Sequence, residues 1–221
     1  MPRLIVFDCD GTLVDSQANI IRAMASTFAH HGLDAPDPAR VRRVVGLSLV
    51  EAMQALLPDA AADQQVAMAH DYKGAFQRLR ADGALEEEPL FDGIADLVVE
   101  LAEAGFQLGV ATGKSDRGLQ LCLERHGLKR YFHTLQTADR HPSKPHPSML
   151  EAAMLDVGHA PATTVMIGDT VFDIDMARAA GSLGLGVAWG YHAPEELADA
   201  GAHAIVDTAA ELRDVLRRWA A

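Results

Sequence analysis

Leu4-Ile5-Val6-Phe7-Asp8-Cys9-Asp10-Gly11-Thr12-Leu13-Val14-Asp15-Ser16 opens on four apolar residues and then breaks into an acidic turn. A short apolar run closed by aspartate and glycine predicts a buried β-strand. Asp8 and Asp10 stand one strand period apart at its carboxyl end, and Gly11 permits the turn that follows. Two carboxylates in different surroundings can divide the work, one ionised on a cation and one protonated to donate a proton. An aspartate-rich turn capping the next helix would have the same spelling, so this segment needs companions.

Outward from it, short runs rich in β-branched and aromatic residues recur at Phe106–Ala111, Val165–Ile167, Gly186–Ala188 and Ala204–Val206, with a weaker one at Thr134–Thr137. Helical patterns fall between them at Ile94–Ala104, Arg117–His126, Ser148–Asp156, Ile174–Ala180, Glu195–Asp199 and Ala209–Trp219. Gly105, Gly127 and Gly181 each follow such a stretch, as C-terminal caps do. Strands alternating with helices predict an α/β fold, a Rossmann-like parallel sheet with helices on both faces. Ligands of such sheets sit outside the carboxyl ends of the strands.

Residues 16–85 break the rhythm. They carry helical patterns at Ala18–His30, Ser48–Leu57 and Ala61–Arg80, punctuated by Pro36, Pro38 and Pro58, with no convincing strand. The expectation is a discontinuous core of residues 1–15 and 86–221 with an all-helical cap inserted at 16–85. Glu86-Glu87-Glu88-Pro89 then reads as the return linker, or equally as a solvated turn.

Three further segments accompany the first. Val165-Met166-Ile167-Gly168-Asp169-Thr170-Val171-Phe172-Asp173 puts Asp169 in a loop after a strand and Asp173 in the first turn of a helix, where the helix dipole alone would favour an acid. Hard cations such as Mg²⁺ take carboxylate, carbonyl and water ligands, and Asp8, Asp10 and Asp169 from adjacent strand ends could supply them. Val110-Ala111-Thr112-Gly113-Lys114-Ser115 offers a hydroxyl, a glycine and amides at a helix start, all suited to phosphate. It is no P-loop, because Leu108 stands where that motif requires glycine. In Ser143-Lys144-Pro145, a lysine stiffened by the following proline suits a fixed positive charge.

Composition narrows the classes. The 221 residues are 49% apolar and 23% charged, as in an ordinary globular protein with a sizeable core. A net charge of −12 excludes a broad nucleic-acid footprint and requires any phosphate site to bring its own positive charge. Cys9 and Cys122 make no disulfide framework, which suits a reducing cytoplasm. The apolar run Met1–Phe7 is too short for a signal peptide, and no stretch reaches the roughly 18 apolar residues of a membrane span. The ten histidines lack zinc-ligand spacing. Gly184-Leu185-Gly186 with Gly190 misses the dinucleotide fingerprint, and strand alternation turns Cys9 away from the acidic pair into the core.

In this order, the four segments resemble the haloacid dehalogenase superfamily of hydrolases, in the helical-cap branch that includes phosphoglycolate phosphatases. The likeness runs the length of the chain and extends to Phe91-Asp92-Gly93, Tyr131-Phe132 and Ala179-Ala180-Gly181. It implies that Asp8 is a nucleophile forming an aspartyl-phosphate and that Asp10 is the general acid and base. It further implies that Thr112, Gly113 and Lys144 hold the phosphoryl group. Mg²⁺ would be bound by the Asp8 carboxylate, the Asp10 carbonyl and Asp169, with Asp173 behind them. The resemblance thus implies a Mg²⁺-dependent phosphatase of small anionic phosphomonoesters, phosphoglycolate-like, working as monomer or homodimer. Asp10 distinguishes the chain from the dehalogenases of this family, which lack that acid. Sugar-phosphate mutases of the branch carry a histidine near Asn19–Ile20, and neither position is histidine here. A mutase, another phosphotransferase or a pyrophosphate or nucleotide phosphatase stands as the alternative. Lys73, Arg42, Arg43 and Ser48 are possible substrate contacts of the cap, with solvated surface the simpler assignment.

Overall fold

The computed structural model describes residues 3–220; Met1 and Pro2 of the N-terminal run, and Ala221, lie outside them. Six strands form one parallel sheet: β1 (Leu4–Phe7), β2 (Gln107–Thr112), β3 (Phe132–Thr137), β4 (Thr164–Gly168), β5 (Leu183–Val187) and β6 (Ala204–Val206), in the order β3-β2-β1-β4-β5-β6. The expected α/β fold is the one observed. The order reverses at β1, so the crevice between the carboxyl ends of β1 and β4 is the topological switch point, where such sheets bind ligands.

Side-chain alternation along β1 explains how one strand serves two layers. Ile5 and Phe7 point into a core made with α5 (Ile94–Glu103), α6 (Asp116–Arg125) and α10 (Ala209–Ala220). Leu4 and Val6 point the other way, to Met149 and Leu150 of α7 (Ser148–Val157) and Met176 of α8 (Val171–Ala179). Each such side chain, fully buried, contributes about 1.5–3 kcal/mol. The same alternation carries Cys9 into the first core, with its sulfur 3.9 Å from that of Cys122. α9 (Pro194–Asp199) packs on the β5–β6 edge. Gly105, Gly127 and Gly181 all have positive φ immediately after helices, as expected of C-terminal caps.

Between β1 and α5 lie α1 (Gln17–His30), α2 (Pro38–Arg43), α3 (Leu49–Leu56) and α4 (Ala62–Ala81), and no strand among the described residues. They share an apolar cluster of their own that includes Met24, Phe28, Met53 and Met68. α2 was not legible in the sequence, where Pro36 and Pro38 suggested only interruption. Pro38 instead occupies the first helical turn, where its missing N–H costs nothing, and the Asp37 side chain accepts from the Ala39 amide at 2.7 Å. The two connections to the sheet run side by side: Val14 and Leu90 pair antiparallel, and the Asp15 amide donates to the Pro89 carbonyl at 2.9 Å. Asn19 fastens the return segment, exchanging hydrogen bonds with the Glu86 main chain at 2.8 and 3.0 Å.

Candidate active site

β1 is tied to β4 past its last strand residue, because the Asp8 amide donates to the Ile167 carbonyl at 2.8 Å. This sets the Asp8 carboxylate beside the loop that follows β4. Asp8, Asp169 and Asp173 are fully buried, and a carboxylate oxygen from each lies within 4.8 Å of the others. One cation serves the cluster: Lys144 Nζ is 3.0 Å from Asp8 Oδ1 and 2.6 Å from Asp173 Oδ1. The remaining oxygens are held selectively. Thr12 Oγ1 and the Tyr191 amide donate to Asp169, each at 2.9 Å, while the Thr170 amide and hydroxyl donate to Asp173 Oδ2 at 3.1 and 2.7 Å. Among the described residues, Asp8 Oδ2 is buried with no hydrogen-bond partner. The close approach of Gly11 to this cluster requires glycine: its φ is +83°, and a Cβ there would lie 2.2 Å from Asp169 Oδ2.

Three carboxylates against one ammonium leave excess negative charge in a dry site, which is costly without a further cation. The titration shifts express that cost. Burial pushes the Asp8 carboxyl up, to about 7, against the downward pull of Lys144 and with the charges of Asp173 and Asp10 adding to the rise. Asp169 is also pushed well up, by burial first and then by Asp173 and Asp8. Burial alone would lower Lys144, yet Asp173 and Asp8 hold it above its ordinary range. An unpartnered oxygen inside an all-oxygen, net-anionic donor set fits a hard divalent cation.

Asp10 faces elsewhere. Its Oδ1 lies 2.7 Å from Lys114 Nζ and accepts from the Ser16 hydroxyl. Lys114 is mostly buried, and desolvation, the largest single influence, would depress its pKa, but the surrounding negative charges, Asp10 foremost, together raise it well above its ordinary range. Sequence reasoning tested Lys114 only as a P-loop lysine and missed this role. Its position two residues after Thr112 was the available signal, but the partner comes from a different strand end. Thr112 accepts from the Lys114 amide at 3.2 Å. The amides expected to be free at the start of α6 are partly engaged, since Asp116 donates to Asp139 and Gly118 to the Ser115 hydroxyl.

The helical insert reaches this floor directly. Gly113 packs so closely under it that a Cβ would sit 2.7 Å from the Leu47 carbonyl oxygen. The Ser143 hydroxyl accepts from the Ser48 amide at 2.8 Å and so joins the lysine loop to the insert. That consequence was not expected from the sequence. Of the possible cap contacts, Arg43 pairs with Glu196 on the surface and Arg42 donates to Gln17. Lys73 lines a cavity of about 700 Å³ between insert and sheet, which has Asp10, Gly113 and Lys114 at its inner end. Lys73 is thus half-exposed surface, paired with Asp139, and also part of the cavity rim.

The model of the family described as haloacid dehalogenase-like hydrolase matches residues 5–187. The chain belongs to that family. Similarity to individual members is spread over the whole length of this haloacid dehalogenase-like hydrolase. It is 36% identical over 217 residues to "Probable phosphatase IndB" of Dickeya dadantii, covering 96% of this chain and 92% of that one. It is 27% identical to a phosphoglycolate phosphatase of Nitrosococcus oceani, covering 99% of this chain and 98% of that one. The crystal structure of "a predicted phosphatase from Clostridium acetobutylicum" superposes with a TM-score of 0.87 at 25% identity, covering 99% of both chains. In this hydrolase, among the described residues, no helix is long and apolar enough to cross a membrane.

Proposed function

We propose that this hydrolase is a Mg²⁺-dependent phosphatase that cleaves phosphate monoesters through an aspartyl-phosphate on Asp8. The observation that carries the proposal is the unpartnered Oδ2 of Asp8, buried beside Lys144 in the Asp8–Asp169–Asp173 cluster at the switch point of the sheet. Relatives described as phosphatases support the substrate class. Residues 16–85 act as a cap domain over a core of residues 1–15 and 86–221.

In this reading, Asp8 attacks phosphorus in line, with the Thr112 hydroxyl and the Lys144 ammonium countering charge on the phosphoryl oxygens. Lys144 also offsets repulsion between the anionic nucleophile and the anionic ester. Asp10 protonates the departing alkoxide, which leaves through the cavity that Asp10 lines, and then takes a proton from the water that cleaves the acyl phosphate. Lys114 and Ser16 hold the Asp10 carboxylate at the cavity floor between these transfers. Mg²⁺ would be held by Asp8, the Asp10 carbonyl and Asp169, with Asp173 orienting from behind, and supplies Lewis-acid charge stabilisation when bound.

The test is phosphate release from a generic aryl phosphate with and without Mg²⁺, for wild type and Asp8→Asn. The substitution preserves shape but removes the attacking charge, so turnover falls by at least about 10³-fold while the fold persists. Retention of about a tenth of the activity would end the aspartyl-phosphate proposal.

A further inference from the structure

The cavity is far larger than the chemistry requires. Its volume of about 700 Å³ lies in the range that encloses drug-sized ligands, whereas a two-carbon acid such as glycolate would fill only a fraction of it. Its reactive end is polar, with Asp10 and Lys114 paired at 2.7 Å. Its walls are not. Met24 of α1 and Leu49 of α3 contribute apolar surface, and α4 contributes a stripe at one-turn spacing: Tyr72, Phe76 and Arg80. The two rings stand 6.1 Å apart at a tilt of 49°, and the Arg80 guanidinium lies 5.7 Å from the Phe76 ring centre. Among the described residues Arg80 has no carboxylate partner, while Lys73 on the same helix is neutralised by Asp139 at 2.8 Å.

Lys114 and Lys73 are already paired with Asp10 and Asp139, and Arg80 and Arg117 are the lining cations without a carboxylate partner among the described residues of these walls. A planar ring fits them: it gains face and edge contact with Tyr72 and Phe76 beyond simple area burial, and a cation above its outer face. On the basis of the phosphatase reading above, we propose that the preferred substrate is a phosphomonoester whose alcohol carries an aromatic ring system, seated on the Tyr72–Phe76–Arg80 stripe with the phosphoryl group toward Asp10. The cap selects for the ring, and the strand-end carboxylates act on any ester that reaches them.

The experiment compares esters with similarly basic alkoxide leaving groups: ethyl phosphate, 2-cyclohexylethyl phosphate, 2-phenylethyl phosphate and 2-naphthylethyl phosphate, with phosphoglycolate alongside. Burial of a naphthyl ring raises kcat/KM by about 30-fold or more over ethyl phosphate, with the cyclohexyl ester below the phenyl ester. Phe76→Ala removes about tenfold of that advantage and leaves ethyl phosphate within about threefold of wild type. Phe76→Leu preserves the insert's packing and shows the same ordering more weakly, so a folding defect in the alanine variant does not mask the result. Equal or faster turnover of ethyl phosphate or phosphoglycolate, or a uniform loss in both Phe76 variants, would overturn the proposal. Calorimetric binding of naphthylethyl- and ethylphosphonate separates the two readings. If no ester is turned over but the naphthyl phosphonate still binds about 30-fold more tightly, the ring site stands and the phosphatase reading falls. Turnover without discrimination upholds the phosphatase and removes the ring site.

Discussion

Replacing Lys144 with methionine keeps most of the side chain's volume and removes only its charge and donors. The wild-type ammonium is fully buried, 3.0 Å from Asp8 and 2.6 Å from Asp173. Without it the cluster keeps three buried carboxylates and no cation. Removing one partner of a buried ion pair costs about 3–5 kcal/mol, so in chelator the melting temperature falls by about 10 °C. The loss depends on pH in a defined direction. Asp8 already has its folded-state pKa raised from an ordinary 3.8 to about 7, and loss of the neighbouring cation raises it further. A group shifted upward contributes its stability below the ordinary value and loses it as pH rises through the folded value. The gap between wild type and variant is therefore narrow near pH 5 and wide near pH 8, by thermal melts followed with circular dichroism. In the Mg²⁺-loaded enzyme, kcat/KM falls by at least about 10²-fold for every ester alike, because each presents the same phosphoryl charge. A gap of constant width across pH, or a variant that spares some esters, would refute this account of Lys144.

Further outcomes follow from the same geometry. In chelator the wild-type protein loses stability between about pH 4 and pH 7, as Asp8 and its buried neighbours are forced to ionise. Added Mg²⁺ restores it, so the Mg²⁺-induced rise in melting temperature grows with pH, and Ca²⁺ binds but inhibits because its looser shell misplaces the reacting groups. A flat Mg²⁺ effect across that range would place the cation elsewhere. Gly113→Ala drives a Cβ toward the Leu47 and Gly46 carbonyls, so it destabilises by about 1–3 kcal/mol and raises KM more than it lowers kcat, as steady-state kinetics would show. Lys73→Ala removes a half-exposed pair worth at most about 1 kcal/mol, so melting barely moves. It nevertheless alters the ranking of esters, since Lys73 lines the cavity; an unchanged ranking would remove it from substrate selection.

Local patterns were enough to reveal the alternation of strands and helices, the strand-free helical stretch between β1 and α5, and the four acidic, hydroxyl and basic segments. Strand period, helix period and turn chemistry act over a few residues and are written wherever those residues are. α2 escaped because a proline inside the first helical turn has the same spelling as one that ends a helix, and only the Asp37 cap distinguishes them. β5 begins at Leu183, ahead of the expected Gly186, because it is held by pairing to β4 and β6 rather than by the preferences of its glycines. The candidate site divides the same way. Asp8, Asp169 and Lys144 could be picked out as candidate site residues from type and order, whereas their meeting required the β1–β4 pairing that brings residues so distant in sequence into one buried cluster. That Lys114 partners Asp10, that Ser143 latches on Ser48, and that the rings line a cavity are contacts no local pattern specifies. The Lys114–Asp10 pair comes from the packing of two strand ends and the Ser143–Ser48 contact from the packing of insert against sheet, while the ring stripe, although periodic on α4, becomes a cavity wall only through the fold.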